Sequence, residues 1–343
     1  MRTGGRIFLC MLVLSGIGVG KGRGESGMTR QTAMQDCLLR ALATVEDGVT
    51  VGELKTRCET ELATPGRKRE SEALHETAFE ERLKKEKEAS ANLWTITPHR
   101  QNYLLLANYN FTSMNEAPWK DIPGSDGKLN ETEVKFQISF KFMLWEKLFK
   151  KDIDFYFAYT QLALWQLYNN DISSPFRDTN YEPELFLLFK NDWRIFGFTN
   201  RVNLLGFVHQ SNGRSEPLSR SWNRVFASFV FKRGNLAFGI KPWIRIHEGS
   251  DVDDNPDIED FLGNFELRSV YKWSGQTFSL MWRNNLDLSS NRGAVELGWS
   301  FPLPSTKRIK GYLQYFNGYG QSLLDYNHSS ATLGAGFLLT DWL

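Results

Sequence analysis

The 343-residue chain is short of three things: cysteine, net charge and long apolar runs. Lys and Arg number 41 against 40 Asp and Glu, a balance of +1, so nothing in the charge points to nucleic acid as a partner. Beyond the N-terminus no apolar stretch approaches the ~20 residues that a membrane helix needs. Of the three cysteines, Cys10 lies in an N-terminal apolar stretch, which leaves Cys37 and Cys58. Histidine is scarce too: His75 is followed by Glu76 but by no second histidine at the spacing of a metal-binding helix, and reads as surface. What the chain has in excess is aromatic, with 25 Phe and 11 Trp.

Arg2 and Arg6 precede the apolar stretch Ile7 to Leu14, which runs on through small residues to about Gly20. A basic start, a short apolar core and small residues predict a secretory signal peptide over residues 1–24, cut somewhere between Gly18 and Gly24. Cys10 sits inside that core without a plausible mature start behind it, which argues against a lipoprotein. Residues 25–93 read as a helical hairpin around the turn Glu46-Asp47-Gly48, followed by a charged linker. In an oxidising compartment Cys37 and Cys58 are expected to form one disulfide across that hairpin, two free thiols being the alternative. The stretch Arg67 to Ser90 is dense in mixed charge and reads as a solvated helix or mobile linker without chemistry.

From residue 94 to 343 the texture changes to short alternating segments. Twelve are predicted, starting near Tyr103, Glu133, Ile153, Glu182, Phe196, Trp222, Leu236, Phe261, Gln276, Ala294, Ile309 and Thr332. In the sixth, Val225, Ala227, Phe229 and Phe231 share one face while Arg224, Ser228 and Lys232 share the other. Apolar outside and polar inside is the pattern of an all-β fold, a twelve-stranded antiparallel transmembrane β-barrel, with the N-terminal helical segment on its periplasmic side. The competing reading, a soluble sandwich of two sheets, would bury those apolar faces against each other. Aromatics near segment ends (Trp145, Trp165, Trp193, Trp222, Trp243, Trp273, Trp299, Tyr312, Tyr315) are expected to form interfacial girdles.

The chemistry points to one strand. Leu205, Phe207, His209 and Ser211 alternate onto a single face, so a base and a hydroxyl share an apolar surface. If residues 213–220 form the connecting loop, the next strand returns antiparallel and Asn223 falls opposite His209. Ser211, His209 and Asn223 then read as nucleophile, general base and base-orienting amide, with the Gly213 amide as oxyanion donor. On a lipid-facing wall these residues would meet a phospholipid ester. In isolation, such a pair is more often two ordinary rim residues.

The surrounding wording resembles outer-membrane phospholipase A of Gram-negative bacteria. The resemblance rests on His209-Gln-Ser-Asn-Gly-Arg214, Ser219-Arg-Ser-Trp-Asn-Arg224, Ser173-Ser-Pro-Phe-Arg177, Asn180-Tyr-Glu-Pro183, Lys241-Pro-Trp243 and Asp253-Asp-Asn-Pro-Asp257, in the family's order from about Trp94 onward. It implies a bacterial outer-membrane location with the site on the lipid-facing side near the cell surface. It also implies Ca2+-dependent hydrolysis of membrane phospholipids at sn-1 and sn-2 and of lysophospholipids, in an active homodimer. By the same resemblance calcium is held by the main chain of Arg214 and Ser219 together with Ser173 of the partner subunit. A second site falls at Asp254 with Glu216, where the family usually has Asp. From residues alone, the acidic loop around Asp254 reads equally as a solvated turn. Gln161, a lone amide in the apolar row Phe155, Phe157, Tyr159, Ala163 and Trp165, is implied as a dimer contact, simple hydration at headgroup level being the alternative. Rival functions are a passive outer-membrane pore and a soluble β-rich binding protein.

Overall fold

The structure, a computed structural model, describes Met34, Cys37, Asn92 and residues 51–63, 78–90, 95–120, 128–249 and 253–342. The expected signal peptide and most of the predicted hairpin lie outside the described residues. The chain divides into two compact units, Met1–His75 and Glu76–Leu343. In the first, helix α1 (Val51–Ala63) buries Leu54 and Cys58, and Cys58 is disulfide-bonded to Cys37 as expected.

The second unit is built on twelve long strands of 9 to 15 residues, spanning the ~9–11 residues that a tilted strand needs to cross a bilayer. They are β1 (Asn102–Asn110), β2 (Thr132–Trp145), β3 (Ile153–Trp165), β4 (Phe176–Lys190), β5 (Phe198–Ser211) and β6 (Ser221–Arg233). The second half comprises β7 (Leu236–Ile246), β8 (Phe265–Trp273), β9 (Gln276–Asn284), β10 (Gly293–Leu303), β11 (Thr306–Tyr319) and β12 (Ser329–Thr340). Each pairs antiparallel with its sequence neighbours, and β12 returns to pair with β1, Leu333 opposite Tyr109. The sheet is therefore closed and leaves no long strand with an open edge. Starts agree with the alternation except for β4, which begins at Phe176 rather than near Glu182, and β8, at Phe265 rather than Phe261. The first half of β4 hides from a hydropathy reading because its buried residues are polar: Arg177, Asp178, Asn180 and Glu182.

The outer wall is apolar and uncovered: Leu185, Leu205, Phe207, Val225, Phe229, Ile240, Leu297, Leu333 and Phe337 are all exposed. A sandwich would have buried them, so the soluble reading fails and the wall suits lipid. Side chains occupy much of the lumen, leaving cavities beside Arg100, Lys241, Glu266 and Arg268. Tyr156, Phe186, Val208, Trp222, Phe226, Trp243 and Leu262 pack into one cluster, and buried ion pairs complete the interior: Arg177 with Glu133 (2.9 Å) and Asp325, and Glu184 with Arg100 (2.8 Å) and Lys241 (2.9 Å). This corrects the girdle expectation in part. Trp145 and Trp273 are exposed, but Trp222, Trp243 and Tyr312 are buried inside, because each stands on the inward parity of its strand.

Short turns such as Gly234-Asn235 and Ser274-Gly275 join strands at the end where the chain enters and leaves the barrel, whereas long loops, 212–220 among them, crown the other. In outer-membrane barrels the short turns are periplasmic. At that short-turn end helix α2 (Ala78–Ser90) docks on the barrel. Of the two readings of this charged stretch, 78–90 is the helix, and its charges are partnered as well as solvated: Glu86 pairs with Lys141 (2.9 Å), Glu80 with Lys232, and Arg82 donates to the carbonyls of Asp341 and Trp342. Phe79 and Leu83 line the cavity beneath it. A last short helix, α3 (Ile258–Leu262), buries Ile258 and Leu262 beside the loops. No described helix is long and apolar enough to cross a membrane; the strands do so.

Candidate active site

Strand β5 ends at Ser211 and β6 begins at Ser221, its partner in register; His209 stands opposite Asn223. The inward parity of the two strands fixes this register. Gln210 accepts the Trp222 indole N–H at 2.8 Å and the Arg224 guanidinium at 3.0 Å, and that guanidinium stacks 3.9 Å from the Trp222 ring. With Val208 fully buried between them, the inner wall holds the outer face of both strands still. On that outer face Ser211, His209 and Asn223 continue the exposed row of Leu205 and Phe207.

His209 Nδ1 lies 2.9 Å from Asn223 Oδ1. An amide oxygen only accepts, so the imidazole proton sits on Nδ1 and Nε2 is left as the acceptor. Asn223 in turn donates from Nδ2 to Glu248 Oε1 at 2.9 Å. Ser211 Oγ accepts the Gly213 amide at 3.1 Å. Among the described residues no hydrogen bond joins Ser211 to His209; such bonds commonly tighten only when substrate arrives. Gly213 has φ +64°, in the left-handed region, and a Cβ there would meet the Tyr181 ring at 3.1 Å. Glycine is what lets this amide turn toward the serine.

The loop beyond is braced by buried Asn212, whose Oδ1 accepts the amides of Arg214 (3.3 Å) and Arg220 (3.0 Å) while its Nδ2 donates to Leu218 O (2.8 Å). The Arg214 guanidinium reaches across to the carbonyls of Phe176 (2.7 Å) and Arg177 (3.0 Å). Ser219 Oγ donates to Asp254 Oδ2 at 2.6 Å, and the Ser221 amide donates to Asp254 Oδ1 at 3.0 Å. The Arg220 guanidinium donates to the carbonyls of Pro217 (3.1 Å) and Ser219.

Ser211, His209, Asn223 and Gly213 thus form one group, and Arg214, Ser219 and Asp254 gather around the adjoining loop. Glu216 is exposed, with no hydrogen bond to Asp254, at a cis bond to Pro217. Ser173 is exposed on the β3–β4 loop, and Gln161 is half-buried on β3, its side-chain oxygen accepting the Tyr159 hydroxyl at 3.3 Å. Glu248 and Asn212 were missed from sequence. Parity could have found the first: Ile244, Ile246 and Glu248 alternate outward past the end of β7, and Ile246 pairs with Asn223.

A family model described as phospholipase A1 matches residues 79–339. The chain belongs to the phospholipase A1 family. Phospholipase A1 of Escherichia coli K12 is 38% identical over 252 residues, covering 73% of this chain and 83% of the relative, and that of Proteus vulgaris is 39% identical over 251 residues, with the same coverage. Among solved structures, outer-membrane phospholipase A from Escherichia coli superposes with TM-score 0.68 at 37% identity, covering 73% of this chain and all of that one. The Salmonella typhi outer-membrane phospholipase dimer with bound calcium gives 0.67 at 38% identity, covering 73% and 94%. This family member is accordingly a bacterial outer-membrane β-barrel protein, and the matched region begins within α2.

Proposed function

We propose that this chain hydrolyses the acyl esters of membrane phospholipids by a Ser211–His209–Asn223 triad on the outer face of the barrel, with calcium and in a dimer. The observation that carries the mechanism is the 2.9 Å contact of His209 Nδ1 with Asn223 Oδ1, two residues from a serine on a lipid-exposed row. Ser211 Oγ attacks the ester carbonyl, and its proton passes to His209 Nε2, the ring nitrogen left free by the Asn223 bond. Negative charge then grows on the carbonyl oxygen beside the Gly213 amide, which can leave the serine oxygen for it. Collapse expels the lysophospholipid alkoxide, protonated by His209, and water activated by the same base releases the fatty acid. Breadth over sn-1, sn-2 and lysophospholipid esters fits a site that faces sideways onto lipid, on the row of Leu205 and Phe207.

The donors around the loop fit calcium. They are hard oxygens, the main chain of Arg214 and Ser219 and the carboxylate of Asp254, and a cation is already drawn there: the Arg220 guanidinium sits on the Ser219 carbonyl. Arg214, Ser219 and Ser173 of the partner subunit would hold one ion, with Asp254 and Glu216 serving a second. When bound, calcium would supply positive charge close to the developing oxyanion. A passive pore is the poorer reading, because the lumen is packed with the Trp222–Trp243 cluster and buried ion pairs.

The test is release of fatty acid from phosphatidylcholine in mixed micelles. Ser211→Ala and His209→Ala should each lose roughly 10³-fold or more in kcat, and EDTA should abolish turnover reversibly. Near-normal hydrolysis by Ser211→Ala would remove the serine from the mechanism.

A further inference from the structure

We propose that Glu248 is a positioning residue for the hydrolysis: it holds the Asn223 amide so that its oxygen, not its nitrogen, faces His209. The proposal rests on the triad reading above and extends it by one residue, drawn from the loop after β7.

An asparagine is an ambiguous partner for a histidine. Its oxygen requires a proton on Nδ1 and leaves Nε2 free as a base; turned by a half rotation, its NH2 donates to Nδ1 and puts the proton on Nε2, where it blocks the attack. An aspartate in this place would have no such ambiguity, since both its oxygens accept. The chain therefore needs something to choose the amide's orientation, and only an acceptor on the far side of Asn223 can do so. Glu248 Oε1 is that acceptor, 2.9 Å from Asn223 Nδ2, and an ionised carboxylate accepts without donating. A neutral amide or hydroxyl there could satisfy either orientation. The bond is also charge-assisted, which polarises the amide and makes Oδ1 the stronger acceptor toward His209. Among the described residues no hydrogen bond joins Glu248 to His209 or Ser211, so its effect passes through Asn223.

The geometry suits this work. Asn223 pairs with Ile246 across β6 and β7, and Glu248 follows two residues later on the same outward parity, just past the last rung. It is only half-buried, so its carboxylate keeps contact with water while its oxygen reaches the amide. Its loop is thereby tied to the catalytic face.

The experiment measures kcat and KM of the full-length protein on phosphatidylcholine mixed micelles with calcium, per folded barrel as judged by heat-modifiable gel migration. Glu248→Gln should lower kcat about tenfold, the worth of one charge-assisted orienting bond, with KM within about twofold. The decisive arm is Asn223→Asp. That variant needs no orientation chosen, and Glu248 now opposes it as a like charge, so adding Glu248→Gln should raise its kcat severalfold instead of lowering it. A merely structural Glu248 would lower activity in both backgrounds. Reaction with a serine-directed fluorophosphonate separates this proposal from the triad. If Ser211→Ala still labels, the triad reading falls, and this one with it. If labelling is confined to Ser211 but Glu248→Gln acts with the same sign in both backgrounds, or has no effect on the native one, the positioning role alone is overturned.

Discussion

Protonating one carboxylate should loosen the helix that docks at the periplasmic mouth. Burial alone would raise the Glu86 carboxyl, but Lys141 and Arg82 outweigh it and hold the group down to about 2, from an ordinary 4.5. A carboxylate whose value is depressed on docking stabilises the docked form above 4.5, and that contribution fades as the pH falls toward 2. The whole difference is about 3 kcal/mol; because Arg82 stands on the same helix as Glu86 and keeps its bond when the helix leaves, the docking equilibrium gains at most roughly a hundredfold from it. Hydrogen exchange of the α2 amides measures it. At neutral pH, the α2 amides of Glu86→Gln should exchange between roughly ten- and a hundredfold faster than those of the native chain. Since the variant cannot lose a charge, the two rates should converge as both are acidified through pH 4.5 to 2. Comparing variant with native at each pH cancels the acid sensitivity of the rest of the barrel. A gap that stays constant across that range, or equal exchange at neutral pH, would refute the ion pairs as the clasp.

Three further outcomes are expected. Arg177→Leu strands the buried carboxylates of Glu133 and Asp325, so urea unfolding in detergent should show a loss of roughly 3–5 kcal/mol; a change under about 1 kcal/mol would mean those groups find other partners. Gly213→Val forces a branched side chain to φ +64° against Tyr181, and should cost roughly 10²-fold in kcat while the barrel still migrates as folded. Gln161→Ala should weaken calcium-induced dimerisation in sedimentation and lower activity in parallel, while Ser173→Ala should weaken calcium binding chiefly in the dimer; full activity from a monomer in calcium would remove the dimer from the mechanism.

Much of the fold could be read from alternation alone, because a lipid-facing strand writes its two environments into adjacent residues. Val225, Phe229 and Arg224 announced β6 for that reason. The reading failed where the lumen breaks the rule of a polar inside. Trp222 and Trp243 look like girdle residues until their parity is followed: Trp222 is in phase with Arg224, not with Val225, and so had to point inward. The first half of β4 failed in the opposite sense, its buried residues being polar and invisible to hydropathy: Arg177 and Glu182 are ion-paired, and Asn180 donates to Asp178. The docking of helix α2 was hidden by its charge: Glu80, Arg82 and Glu86 read as solvated, and only distant partners, Lys232, the Asp341 carbonyl and Lys141, turn them into a clasp. At the site, the His209–Asn223 pairing was legible because one loop length sets one register. Glu248 was less so: its outward parity with Ile244 and Ile246 could be followed, but it lies in the loop past the last rung of β7, where no strand pairing sets its position.

The packed lumen and the face that carries His209 and Asn223 depend on each other through that register. Moving β6 by one residue against β5 would turn Asn223 inward and bring Trp222 out into lipid. The inner wall prevents this at the same rungs: Trp222 Nε1 and the Arg224 guanidinium both converge on Gln210, whose neighbours in sequence are His209 and Ser211. An indole and a guanidinium left without that acceptor inside the barrel would each bear the cost of a buried, unpaired polar group. The side chains that close the lumen are therefore the ones that hold histidine and asparagine opposite each other on the outside. A pore built on these strands would have to remove them, and with them the alignment of the site.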